Sequence, residues 1–99
     1  MIDGSTVVRR NPSVQYKDLD DEGGGVLLHL GTGAYHGLNE VGALVWSLIE
    51  TGDGISFSAV LDELRERLEE VPDDLADDIS SFLEDLASRD LVTLDGGAA

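Results

Sequence analysis

The chain contains no cysteine and few basic residues: six Lys and Arg stand against 21 Asp and Glu in 99 residues, a formal net charge of −15. Without cysteine there can be no disulfide framework, no thiolate metal site and no cysteine nucleophile. A nucleic-acid-binding surface needs clustered Lys and Arg, because neutralising phosphates supplies much of its affinity. These scarcities exclude cysteine chemistry and argue against a partner bound through phosphates.

Long apolar runs are also missing. Nowhere do 18 apolar residues follow one another, and the N-terminus has neither the basic start nor the apolar stretch of a signal peptide. We therefore expect a cytoplasmic protein with no membrane partner. The apolar fraction of 41% is still ordinary for a globular chain, so we expect one small domain with an acidic surface.

The first part of the chain predicts three β-strands. Residues 13–17 alternate between apolar and polar, residues 26–30 form an apolar run, and residues 34–38 follow a short turn. Gly31 and Gly33 suit a tight hairpin between the second and third segments, because glycine adopts positive φ readily. The expected element is a three-stranded antiparallel meander.

From Asn39 onward the apolar period changes from 2 to 3.6, which predicts three helices. Asn39 is a good N-cap for the first and Ser56 for the second, since their side-chain oxygens can accept from free backbone N–H groups. The third helix starts after Pro72, and residues 91–94 form a short extended end. The predicted fold class is therefore α+β.

Motifs for catalysis or metal binding are weak. Residues 18–23 match positions 1, 3, 5 and 6 of a calcium loop, but position 12, which needs a bidentate Glu, falls on His29. His29 and His36 could approach each other across the hairpin, yet spacing implies no third ligand. No G-x-S-x-G or H-E-x-x-H motif is present. We expect no enzymatic activity, no cofactor and no metal.

Two features are candidate binding elements, one on the first helix and one on the third strand. Trp46 lies at the margin of the apolar stripe of the first helix, where core packing is expected and an interface anchor is the alternative. The third strand, residues 34–38, lacks the Pro and charge that guard a sheet edge, and extended peptides bind such edges by adding a strand. The alternative is an edge covered by the chain terminus.

The G-x-Y-x-x-L-N block at residues 33–39, followed by Trp46, resembles the PqqD-like family, and the apolar spacing of the third helix is similar as well. The resemblance covers residues 13–94 and leaves 1–12 and 95–99 as flexible ends. It implies a winged helix-turn-helix-like fold that serves, without catalysis, as a precursor-peptide recognition element (RRE) in ribosomal peptide (RiPP) natural-product biosynthesis.

The resemblance also implies where a peptide binds. Such domains capture the leader segment of a precursor peptide as an extra strand on the third strand, in a groove walled by the third helix, and present it to a modifying enzyme. Helical periodicity places four polar residues of the third helix in a stripe beside Phe82: Asp74, Asp78, Ser81 and Asp85. The expected peptide-binding residues are Ala34, Tyr35, His36, Gly37, Leu38, Asp74, Asp78, Ser81, Phe82 and Asp85. An acidic wall beside an apolar floor would suit a leader with apolar anchors and Lys or Arg.

Three alternatives for the function, each with its own partner, remain at this point. Within the family, a chain of this size with long acidic loops is most similar to the discrete recognition proteins of lasso-peptide pathways, which implies a separate leader peptidase as partner. The second is a PqqD-type peptide chaperone for a radical SAM enzyme. The third, a winged-helix DNA-binding protein, is disfavoured because residues 73–85 hold six acidic residues and no Lys or Arg.

Overall fold

The computed structural model describes residues 2, 4–19, 24–50 and 54–95. The elements in chain order are β1 (Val7–Arg10), β2 (Val14–Leu19), β3 (Gly24–His29), β4 (Tyr35–Leu38), α1 (Glu40–Glu50), β5 (Ile55–Ser56), α2 (Phe57–Arg67), α3 (Leu75–Ser88) and β6 (Val92–Asp95). This order confirms the α+β class, with an antiparallel three-stranded meander followed by three helices. None of the described helices is long and apolar enough to cross a membrane.

The predicted meander is the sheet β2-β3-β4, in which β3 is the central strand. Its second turn is closed by two backbone hydrogen bonds: His29 N–H donates to Ala34 C=O at 2.9 Å, and Gly33 N–H donates to His29 C=O at 2.7 Å. Gly33 has φ +77°, a conformation that favours glycine. The turn leaves β4 at one edge of the sheet.

A second sheet, in the order β5-β1-β6, joins distant parts of the chain. It corrects the expectation that residues 1–12 are flexible, because Val7–Arg10 pair with both β5 and β6 and Val8 is fully buried. At the other end Asp95 belongs to β6 and pairs with Val7, whereas residues 96–99 of the expected flexible tail lie outside the described residues.

The helix boundaries follow from local capping. Asn39 Oδ1 accepts from Gly42 N–H at 2.8 Å, and Ser56 Oγ accepts from Ala59 N–H at 3.2 Å, which confirms both predicted N-caps. At the end of α3, Leu91 N–H donates to Leu86 C=O at 2.9 Å, and Asp90 between them has a positive φ of 62°. This is the hydrogen-bond pattern of a Schellman C-cap, and it turns the chain from α3 into β6.

The core lies between the helices and both sheets, and it includes Val8 of β1 and Val92 of β6. Trp46 is 1% exposed, which confirms that it packs in the core. The largest fully buried side chains besides Trp46 are Leu27, Ile49, Leu64, Leu83 and Leu86. Of the candidate calcium loop, residues 20–23 lie outside the described part of the chain.

Candidate functional site

Among the described residues, no strand pairs with the outer edge of β4, so its outward backbone groups can accept another strand. The register places Gly25 opposite Leu38, Val26 opposite Gly37, Leu27 opposite His36, and Leu28 opposite Tyr35. Hydrogen-bonded and non-hydrogen-bonded pairs alternate along an antiparallel ladder, and His29 with Ala34 is a hydrogen-bonded position. The N–H and C=O groups of Tyr35 and Gly37 therefore point away from β3, toward the edge.

The side chains of β4 alternate between the two faces of the sheet. Leu38 is buried and His36 is half-buried, on the side of the helices. Tyr35 is 74% exposed on the opposite side, which it shares with Gly37. A strand added to this edge would therefore have side chains on both faces.

A groove of about 610 Å³ opens where β4 ends. The start of α1, the end of α2, the connection to α3 and the first half of α3 form its walls. Its lining residues are Asn39, Val41, Gly42, Leu68, Glu70, Pro72, Leu75, Asp78, Ile79, Ser81 and Phe82. The predicted residues Asp78, Ser81 and Phe82 thus lie together on one wall. These lining residues include two carboxylates and no cation, beside an apolar floor.

Gly42 joins this groove to the end of β4. A Cβ built on Gly42 would lie 3.2 Å from Phe82 Cζ and 3.4 Å from Leu38 Cβ. The absence of a side chain thus lets the first turn of α1 fit closely between α3 and β4. Because Gly42 N–H also donates to Asn39, this turn is held in place by the helix cap. Asn39, the residue that follows β4, lines the groove, so the end of β4 lies beside it.

The structure does not bring every predicted residue into the groove. Asp74 precedes α3 and makes no side-chain cap hydrogen bond, while Asp85 Oδ2 accepts from Arg89 Nε at 3.1 Å. Neither residue lines the groove, and residues 34–38 lie along the edge that leads to it. The sequence did not predict Glu70 or the rest of the wall that faces α3. The helix break at Pro72 was the one local signal for it.

His29 supports the hairpin that carries β4. Its ring is buried, with Nδ1 accepting from Gly31 N–H at 3.1 Å and Thr32 N–H at 3.3 Å. Nε2 lies 3.1 Å from Asp90 Oδ2, so the tautomer assigned from these partners has the proton on Nε2. His29 therefore ties the hairpin to the connection between α3 and β6. Within the described residues, no three His, Cys, Asp or Glu side chains come together to hold a metal ion.

Comparisons with known proteins agree with this architecture. The family described as Coenzyme PQQ synthesis protein D (PqqD) matches residues 24–92. A solved structure titled "TbiB1 in Complex with the TbiA(beta) Leader Peptide" is similar, with a TM-score of 0.73 and 33% identity over 92% of this chain and 99% of that one. No curated protein matches significantly. The residues that carried the resemblance in the sequence thus pointed to the right family: the chain belongs to the PqqD family.

Proposed function

We propose that this protein binds the leader segment of a ribosomally made precursor peptide and delivers it to a separate processing enzyme. The leader adds as a strand to β4, beside α3, and the protein itself performs no chemistry. The observation that carries the proposal is a β4 edge with no described strand paired to its outer side, next to an apolar groove. It is supported by the similarity to TbiB1, whose structure contains a leader peptide.

Backbone pairing alone would give weak and unselective binding. The outward groups of Tyr35 and Gly37 offer two donors and two acceptors, and each hydrogen bond contributes a net of about 0.5–1.5 kcal/mol. Four such bonds give roughly 2–6 kcal/mol, whereas micromolar affinity requires about 8 kcal/mol, before the cost of immobilising the peptide. The groove must therefore supply the rest.

Apolar contact in the groove can supply that remainder. Phe82 is half-buried there, with buried Leu75 and Ile79 on the same wall. Burying about 150 Å² of apolar surface contributes roughly 4 kcal/mol at about 25 cal/mol per Å². Side chains of the leader that enter the groove thus provide both affinity and the selection of one sequence, which strand pairing cannot give.

Charge complementarity favours a basic leader. Glu70 and Asp78 are exposed carboxylates among the lining residues, and the whole chain has a formal charge of −15. A Lys or Arg next to the apolar anchors would approach these carboxylates, and an acidic leader would be repelled. The same carboxylates disfavour DNA binding through α3.

Two kinds of enzyme could receive the leader. A leader peptidase is our first candidate, because in size and acidic loops the chain resembles the discrete recognition proteins of lasso-peptide pathways. A radical SAM enzyme is the second, favoured by the description of the family as a coenzyme PQQ synthesis protein.

Calorimetric titration with leader peptides tests the proposal. The probes are the TbiA(beta) leader and candidate leaders from short reading frames near the gene, each with a scrambled control, in buffer containing a chelator. We expect one-to-one binding of a leader without metal or nucleotide, and none of its scrambled form. Failure of every leader to bind, or salt-sensitive binding of duplex DNA at physiological ionic strength, would contradict it. Adding each candidate enzyme then shows which one processes the bound precursor faster.

A further inference from the structure

The β2-β3-β4 sheet has a second face, turned away from the helices, that the groove does not include. We call it the outer face; it carries Lys17 on β2, Val26 and Leu28 on β3, and Tyr35 and Gly37 on β4. Val26 and Leu28 are only half-buried, and a concavity of about 350 Å³ opens beside them and Tyr35. This face is therefore apolar beside the β4 edge.

Gly37 leaves a gap in the outer face at that edge. A Cβ built on Gly37 would have no atom of the described residues within 4 Å, and the partner of Gly37 on β3 is Val26. Glycine in a strand often marks a place where another group approaches closely, and aromatic side chains from neighbouring strands cover such positions. No described strand pairs with β4 on its outer side, so a side chain of an added strand could reach this gap.

The same sheet shows how a gap of this kind is filled. At Gly25, on the opposite face, a Cβ would overlap the Tyr16 ring, so the aromatic side chain of β2 covers the glycine of β3. Gly25 is buried as a result, whereas Gly37 is exposed. Gly37 has a neighbouring strand on one side among the described residues, so its cover would have to come from a strand added on the other side.

We infer that the gap over Gly37 is a subsite for one large apolar or aromatic side chain of the leader. The inference rests on the proposed strand addition: the leader residue across from Gly37 shares its face, so its side chain lies over the glycine and against Val26. Tyr35 borders the same space, where aromatic side chains pack favourably. Lys17 lies opposite Val26, so this face, unlike the groove, does not attract a basic residue.

This subsite makes a prediction about the leader sequence. Because side chains alternate along a strand, the residue over Gly37 is separated by an odd number of positions from paired leader residues that face the helices. The leader would thus be recognised on both faces of the sheet, with different chemistry on each.

Gly37→Val tests the inference, because valine fills the gap, keeps the backbone N–H and favours a strand. An alanine scan of the binding leader is repeated against wild type and variant by calorimetry. We expect one large apolar leader residue whose truncation weakens binding about tenfold to wild type and has no effect with Gly37→Val. Thr93→Val, at an exposed position on β6, is the matched control and should leave the scan unchanged.

Other results would overturn the subsite. If Gly37→Val weakened every leader variant equally, or if no leader position lost its effect, the gap would not hold a leader side chain. Leader-induced amide shifts along β4 would in that case still support strand addition. If no leader bound wild type, the proposed function itself would fail.

Discussion

Replacing Gly37 by proline tests the register of the binding edge most sharply. Proline removes the backbone N–H that points outward, while edge strands tolerate proline whose missing donor faces away from the sheet. The preceding residue, His36, is already in a strand, which suits the position before proline. We expect Gly37→Pro to fold normally and to bind the leader poorly. Gly37→Ala, which keeps the N–H, is the reference.

The expected loss follows from the hydrogen bond that disappears. Its net contribution is about 0.5–1.5 kcal/mol, and a leader carbonyl left without a donor costs about 1–3 kcal/mol. A loss of about 1–3 kcal/mol corresponds to a dissociation constant roughly 5- to 150-fold weaker than that of Gly37→Ala. The stability of the two variants should differ by about 1 kcal/mol or less, because no ladder hydrogen bond is removed.

The adjacent position provides the opposite control. The N–H of His36 points toward Leu27 on β3, so His36→Pro removes a ladder bond and should destabilise the fold itself. Calorimetry gives the dissociation constants and urea unfolding gives the stabilities. Equal leader binding by folded Gly37→Pro and Gly37→Ala would refute strand addition at this edge. Unfolding of Gly37→Pro with an intact His36→Pro would show that the two positions point the other way.

Three further predictions concern the groove and the hairpin. Asp78→Lys should weaken the binding of a basic leader about 5- to 30-fold at low salt and less in 1 M NaCl. Asp77→Lys, the same charge reversal outside the groove, should leave binding unchanged. Equal effects of the two variants would refute a specific contact. Gly42→Ala should change the free energy of unfolding by about 1 kcal/mol or less. It should nevertheless weaken leader binding, because the added Cβ displaces the Phe82 ring. Unchanged leader binding by calorimetry would contradict this. His29→Ala should cost about 2–4 kcal/mol in urea unfolding, since three hydrogen bonds of a buried ring are lost, and a smaller loss would show that His29 does not hold the hairpin.

Most of the meander and all three helices could be predicted because their signals are local. Alternation identified the first strand of the meander, an apolar run the second and the glycine turn the third. The side chains of Asn39 and Ser56 fixed where two helices begin. The second sheet could not be predicted, since its pairing joins residues such as Val7 and Asp95 from opposite ends of the chain. The four residues of β1, two of which are Arg, have no periodicity that would identify a strand without its partners.

The candidate site was predictable only in part for a similar reason. Helical periodicity places Asp78 and Asp85 on one face of α3, but it does not tell how far along the helix the groove extends. They are seven residues apart, about 10 Å along the axis, and Asp85 pairs with Arg89 outside the groove. The opposite wall, with Glu70, depends on how α2 packs against α3. The sequence of either helix alone does not predict that packing.

Amide hydrogen exchange measured by NMR, with and without saturating leader, tests strand addition most directly. The amides of His36 and Leu38 should be protected in the free protein, because their N–H groups point toward β3 and donate to it. The amides of Tyr35 and Gly37 should exchange fast in the free protein and become protected when the leader binds. A bound leader that leaves Tyr35 and Gly37 exchanging as fast as before would contradict the account.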